Sequence, residues 1–78
     1  MQRDLVSQED LLKWLNLQMS KYDECTNCKF TSVQEHEEDQ EGCNWSAHTL
    51  TCSGVPVEVC QTIANQIVAQ AKGNFNVK

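Results

Sequence analysis

The chain has 78 residues, a formal net charge of −5 and five cysteines. This length suits one domain and leaves no room for a second. Eleven acidic residues stand against six scattered basic ones, so the basic patch that nucleic acid requires is missing. We therefore expect neither nucleic acid nor an anionic membrane as a partner. No apolar run approaches the roughly 20 residues of a membrane span.

The N-terminal residues do not resemble a signal peptide, because their apolar stretches are short and interrupted by charge. We therefore predict a cytoplasmic location. A reducing cytoplasm favours metal binding, redox chemistry or buried thiols over structural disulfides, and an odd number of cysteines points the same way. A fragment processed from a secreted precursor would show the same features.

Residues 8–22 predict an amphipathic helix that faces the core. Ser7 is a suitable N-cap, and Asp10 three residues later completes a favourable first turn. The apolar positions recur at helical spacing, namely Leu11, Leu12, Leu15, Met19 and Tyr22, with Trp14 at the margin. The opposite face is polar and consists of Glu9, Lys13, Asn16 and Ser20.

Residues 56–72 predict a second helix. Pro56 suits the first helical position, and Gly73 is a natural stop after which Phe75 can fold back over the last turn. A continuous apolar stripe faces the core and consists of Cys60, Ile63, Ala64, Ile67, Val68 and Ala71.

Residues 29–36 and 44–51 are rich in β-branched and aromatic side chains and predict two strands. The acidic segment 37–42 between them is typical of a solvated hairpin turn. The fold class is therefore α+β, a small two-layer α-β-β-α domain with both helices on one face of an antiparallel hairpin. Residues 1–78 form this single domain, and we expect residues 1–6 and 76–78 to be frayed. Because two strands alone are marginal, we also expect a third strand or a homodimer through a sheet edge.

The acidic turn fixes a register in which paired residue numbers sum to about 80, and this places Cys28 opposite Cys52. Cys25 lies three residues before Cys28, and Cys60 lies early in the second helix. We therefore predict that these four cysteines converge at the open end of the hairpin. Cys43 falls at the other end, beside the acidic turn.

Four thiolates, two of them in a Cys-x-x-Cys pair, predict a structural zinc site formed by Cys25, Cys28, Cys52 and Cys60. The eight-residue spacing of Cys52 and Cys60 argues against it, because zinc ligands of one pair are commonly two to four residues apart. Cys60 also fits the apolar stripe as a buried thiol. Reduced structural thiols, disulfides, redox chemistry and an iron–sulfur cluster remain the alternatives.

A thiol-based redox or metal-handling protein using Cys25 and Cys28 is the alternative function. The pair follows the C-terminal end of a helix, with Asp23 and Glu24 just before it, and both features disfavour a thiolate. We find no phosphate-binding loop and no nucleophile–base arrangement, so we do not expect an enzyme. We expect the two histidines, His36 and His48, to be solvated on the hairpin.

Three segments resemble those of a group of small uncharacterised bacterial proteins of proteobacterial type: Asp23-Glu24-Cys25-Thr26-Asn27-Cys28, Gly42-Cys43-Asn44-Trp45 and Cys52-Ser53-Gly54-Val55-Pro56. The resemblance covers most of the chain and implies a bacterial, cytoplasmic protein. It brings no functional residues with it. We therefore predict a small non-enzymatic interaction or accessory protein, with zinc as the candidate cofactor and a protein as the candidate partner.

Overall fold

The computed structural model describes residues 3–47 and 50–78. We number the elements in chain order: β1 (Asp4–Val6), α1 (Gln8–Met19), a short 3-10 helix (Asp23–Cys25), β2 (Cys28–Phe30), β3 (Gln34–Glu35), β4 (Trp45–Ser46), β5 (Leu50–Cys52), α2 (Val57–Asn74) and β6 (Phe75–Val77). Both helices pack against the β2–β5 pair and against each other. The predicted α+β class is therefore confirmed.

Helix α1 begins as the sequence predicts, because the Ser7 side chain accepts a hydrogen bond from the Asp10 amide at 3.0 Å. It ends at Met19, earlier than predicted. The Ser20 hydroxyl donates to the Leu17 carbonyl at 2.7 Å, and Tyr22 is already extended. Serine side chains that bond the preceding turn in this way compete with continuation of a helix.

Helix α2 runs two residues beyond its predicted end. Pro56 is its N-cap rather than its first residue, and Gly73 lies inside the last turn. Phe75 then enters β6 instead of folding back over the helix. The predicted stripe is partly confirmed: Cys60, Ala64, Ile67 and Ala71 are buried, whereas Ile63 and Val68 pack at its margin.

The hairpin has the predicted register in every described pair. Cys28 lies opposite Cys52 and Phe30 opposite Leu50, and Gln34 pairs with Ser46 further along. Each predicted strand is broken into two short pieces, one in the β2–β5 pair and one in the β3–β4 pair. The alternation of apolar and polar residues is imperfect in both strands, and this irregularity is consistent with the break.

The chain ends form a parallel pair that the sequence did not predict. Strand β1 pairs with β6, with Asp4 opposite Phe75 and Val6 opposite Val77. The expectation that residues 1–6 and 76–78 are frayed is therefore wrong for residues 4–6 and 76–77. Val77 is buried, and the Lys78 amide donates to the Val6 carbonyl at 2.9 Å.

Two asparagine side chains make hydrogen bonds to the backbone of strands, in the way that a neighbouring strand would. The Asn44 amide group donates to the Val77 carbonyl at 2.7 Å and accepts from the Val77 amide at 2.8 Å, so it closes the outer edge of β6. Asn16 makes the same pair of bonds with the amide and carbonyl of Phe30, at 2.7 and 3.2 Å. Asn16 was predicted on the polar face opposite the apolar stripe, but in the structure it lies against β2. Its side chain satisfies backbone groups of β2 instead.

The core lies between the helices and the strands. Trp45 is fully buried and donates from its indole nitrogen to the Phe75 carbonyl at 3.0 Å. Leu11, Leu15 and Met19 of α1 are equally buried. Within the part of the chain that is described, no helix has both the length and the apolar character needed to cross a membrane.

Candidate functional site

Four cysteines meet at one end of the hairpin, which we call the cysteine end: Cys25, Cys28, Cys52 and Cys60. The 3-10 helix presents Cys25, the β2–β5 pair presents Cys28 and Cys52 directly opposite each other, and α2 presents Cys60 near its start. The predicted convergence of these residues is confirmed.

The cysteine end is cross-linked in the structure. Cys25 bonds to Cys60 with an S–S distance of 2.09 Å, and Cys28 bonds to Cys52 at 2.05 Å. The bridges span sequence separations of 35 and 24 residues, for which loop closure predicts about 3–4 kcal/mol of stabilisation each. Because one loop lies inside the other, the two contributions are not additive.

The Cys-x-x-Cys pair is divided between the two disulfides. Cys25 and Cys28 have different partners, so they do not form the dithiol of a thioredoxin-type motif here. Zinc ligation by the four cysteines requires their reduced form and stays a prediction for that form.

The sulfur atoms of the two disulfides are close to one another. Those of Cys28, Cys52 and Cys60 all lie within 4.8 Å, a spacing that suits ligation of one metal ion. Cys25, Cys28 and Cys60 are buried, whereas Cys52 is partly exposed. Solvent, a reductant or an ion therefore reaches this cluster from the Cys52 side.

The acidic turn at the far end is structurally organised. The Asp39 carboxylate accepts hydrogen bonds from the amides of Cys43 at 3.0 Å and Glu41 at 2.9 Å. The bond from the Cys43 amide is the main cause that lowers the pKa of Asp39, although partial desolvation opposes it. Gly42 has a φ of +85°, and the Arg3 guanidinium lies where a side chain at this position would stand. The turn therefore lies against Arg3 in the N-terminal segment.

Cys43 and His36 lie near this turn, and both make contacts within the fold. Cys43 is a buried free thiol that donates to the Trp45 carbonyl at 3.3 Å. His36 is exposed, with its ring nitrogens near the Glu37 carbonyl and the Ser46 hydroxyl. His48 lies outside the described residues, so its predicted solvation stays a prediction.

An apolar slot of about 210 Å³ opens between α1 and the β1–β6 pair. We use this name for the cavity lined by Val6, Asp10, Leu11, Trp14 and Phe75. The rings of Trp14 and Phe75 meet edge to face with centroids 5.3 Å apart. Sequence reasoning missed the slot, since it forms only when the two chain ends pair. The half-buried position of Trp14 at the margin of the apolar stripe was the available signal.

Strand β1 contributes Val6 to the apolar slot and has an outer edge on the side away from β6. Because the Val6 carbonyl accepts from the amide of Lys78, the residue just after β6, the peptide groups of Leu5 point away from β6. The Leu5 side chain is 63% exposed. Among the described residues, β1 and β6 form a two-stranded sheet, and the other edge, on β6, is closed by Asn44. In the part of the chain that is described, the outer edge of β1 is therefore the open edge of this pair.

A second depression of about 280 Å³ lies between the hairpin and α2. Gln61, Asn65 and Lys72 give it a polar character, while Phe30 and Leu50 form its floor. Phe30 is the one aromatic residue among its lining residues, whereas the apolar slot has the Trp14–Phe75 pair.

No family model, curated protein or solved structure matches the chain. The resemblance to small bacterial proteins therefore stays a prediction. We therefore infer the function from the apolar slot and the outer edge of β1.

Proposed function

We propose that this chain is a small, non-enzymatic binding module that takes an extended basic peptide along the outer edge of β1. The observation that carries the proposal is that β1, whose outer edge would take the peptide, also contributes Val6 to the apolar slot. A strand added to β1 would gain main-chain hydrogen bonds from Leu5 and would place an apolar side chain next to Val6, which lines the slot. Such strand addition gives affinity through the backbone and selectivity through the pocket.

Charge favours a basic peptide over a second copy of the chain. Asp10 lines the slot, and Asp4 lies on the same face of β1 as Val6 because side chains alternate along a strand. The chain carries a net charge of −5, so two copies repel each other whereas a lysine-rich segment is attracted. Homodimerisation through the sheet edge is the competing outcome of the test. The same charge makes nucleic acid an unsuitable partner.

The test is a titration of isotope-labelled protein with a short peptide that alternates lysine and leucine, followed by NMR. We expect shifts in the Leu5 and Val6 amides and in the Trp14 indole, and none with a control peptide that alternates glutamate and leucine. Equal binding of both peptides, or shifts confined to the second depression, would contradict the proposal. A concentration-dependent dimer seen by sedimentation, with β1 at its interface, would replace the peptide by a second copy.

Two matched variants separate specific binding from general attraction to an acidic protein. Leu5→Lys and Leu17→Lys make the same chemical change at leucines that are 63% and 57% exposed. We expect Leu5→Lys to weaken binding about ten-fold or more, because it adds repulsion at the binding edge. Leu17→Lys lies on α1 outside the slot and should have a much smaller effect.

The alternative function, a thiol-based redox protein using Cys25 and Cys28, has less support. These residues belong to different disulfides, and neither lies at the N-terminal end of a helix of the kind that activates a thiol.

The oxidation state of the cysteine end in the cell indicates which compartment the protein occupies. The proposal of a cytoplasmic protein requires reduced cysteines, whereas two disulfides are typical of an oxidising compartment. Acid quenching of cells followed by alkylation and mass measurement distinguishes the two states. Alkylation of all four residues of the cysteine end would support a cytoplasmic location. Alkylation of none of them would support an oxidising compartment.

A further inference from the structure

We infer that the reduced chain binds one Zn²⁺ ion at the cysteine end, through Cys25, Cys28, Cys52 and Cys60. The same four residues then have two exclusive states, a pair of disulfides and a tetrathiolate zinc site. This inference is independent of peptide binding at β1, which lies on other elements.

The backbone already holds the four ligands at suitable separations. The Cα atoms of Cys28 and Cys52 are 4.0 Å apart and those of Cys25 and Cys60 are 5.9 Å apart. In a tetrahedral site with Zn–S bonds of about 2.3 Å, neighbouring sulfurs are about 3.8 Å apart. Three of the sulfurs here lie within 4.8 Å of one another, so side-chain rotation accounts for most of the remaining change.

Cys25 supplies the fourth ligand. Its sulfur is already next to that of Cys60, because the two are bonded in the oxidised state. When that bond is reduced, the Cys25 sulfur must move apart from the Cys60 sulfur. The 3-10 helix that carries Cys25 has only three residues, so a small backbone movement can separate the two sulfurs.

Burial favours a structural zinc site over a loosely bound ion. Cys25, Cys28 and Cys60 are at most 1% exposed, whereas Cys52 is partly exposed and offers the entry path. Closed four-coordinate sites of this kind stabilise small domains directly, because the ligands are gathered only in the folded chain. Zinc would replace the two cross-links of the oxidised chain, one between β2 and β5 and the other between the 3-10 helix and α2.

The exchange between the two states balances as follows. A dithiol reductant gives each disulfide two electrons and two protons and itself becomes a disulfide, so that two thiols form. A phosphine gives the two electrons and becomes a phosphine oxide, with one water molecule supplying the oxygen and the two protons. Zn²⁺ binds the sulfurs as thiolates and displaces up to four protons into solution. A disulfide oxidant reverses the sequence, since removing two electrons from two thiolates forms each S–S bond and releases the ion.

The experiment measures metal binding by the full chain in both oxidation states. The protein is reduced with a phosphine under anaerobic conditions and titrated with Zn²⁺, and the masses of its native complexes are recorded. Co²⁺ is used in parallel, because its visible spectrum reports tetrahedral thiolate ligation. Circular dichroism follows the fold at each step.

Two variants identify the ligands. Cys43→Ser is the matched control, because Cys43 is buried away from the cysteine end. Cys52→Ser removes one ligand directly and should weaken zinc binding by more than the roughly 10–100-fold that loss of a residue supporting a ligand costs.

We expect one ion per reduced chain, the Co²⁺ spectrum of a tetrathiolate, no binding to the oxidised chain, and unchanged binding by Cys43→Ser. If reduction unfolds the chain, zinc should restore its circular dichroism spectrum. A reduced chain that stays folded without binding zinc would overturn the inference. It would also fail if the oxidised chain bound zinc equally or if Cys52→Ser left the affinity unchanged.

Discussion

At the scale of single residues, Ile67 illustrates how much one buried side chain contributes. It lies in the middle of α2 and is 4% exposed. Truncation to alanine removes three buried carbon atoms and leaves a cavity that a small core fills poorly.

We expect Ile67→Ala to lower the free energy of unfolding by about 2–5 kcal/mol. Urea denaturation of the oxidised protein measures this change. The exposed neighbour Gln66 provides the control, and Gln66→Ala should stay within about 0.5 kcal/mol of the parent. A small effect at Ile67 would mean that the buried face of α2 differs from the one described.

Residues of α1 show what apolar spacing predicts and what it does not predict. The helical repeat predicted that Leu11, Leu15 and Met19 are buried, because apolar spacing reports directly on the core-facing side. The same repeat placed Asn16 on the polar face opposite these residues. Its hydrogen bonds to Phe30 arise from where β2 happens to end, and no local pattern encodes that position.

At the scale of elements, the hairpin register was predictable because its turn is marked by charge and glycine. Its tip is held by Asp39, whose pKa is lowered chiefly by the hydrogen bond from the Cys43 amide. A carboxyl whose pKa is lower in the folded chain than in the unfolded chain stabilises the fold above the unfolded pKa. That stabilisation is lost as the pH falls through the folded pKa.

We therefore expect Asp39→Asn to be less stable than the parent at neutral pH and to approach the parent as the pH falls below about 4, where the unfolded carboxyl protonates. Thermal unfolding of both proteins across this range measures the difference. Glu38→Gln, an exposed change in the same turn, is the control for general charge effects. A difference that stayed constant from neutral to acid pH would mean that the ionised carboxylate is not what holds the tip.

The cysteines show a different limit of prediction at this scale. Register placed four of them together, because the pairing of two strands determines which residues face each other. It did not determine their bonding, since disulfide formation depends on the redox environment as well as on geometry.

At the scale of the whole molecule, the decisive contact joins the two chain ends. Pairing of β1 with β6 was missed because each strand has only three residues and nearly the whole chain separates them. Local signals cannot indicate such a pair. It creates the apolar slot, since Val6 and Phe75 meet Trp14 only when the ends are together.

Asn44 connects this terminal pair to the hairpin, and its removal should be costly. Asn44→Ala leaves the amide and carbonyl of Val77 without their partner at a buried position, and we expect a loss of about 1–3 kcal/mol. Hydrogen exchange should also become faster at the Val77 amide. Asn65→Ala, at an exposed position of α2, is the control. Unchanged exchange at Val77 would mean that β6 is held by β1 alone.

The parallel pairing of Asp4–Val6 with Phe75–Val77 also determines how this domain can emerge from a ribosome. Strand β1 is synthesised first, but its partner leaves the exit tunnel only after α2 has been translated. Contacts between such distant segments carry the largest loop-closure cost and form late in folding. The apolar surface around Trp14 and Trp45 stays uncovered until then, so the nascent chain is more prone to aggregation than the finished fold.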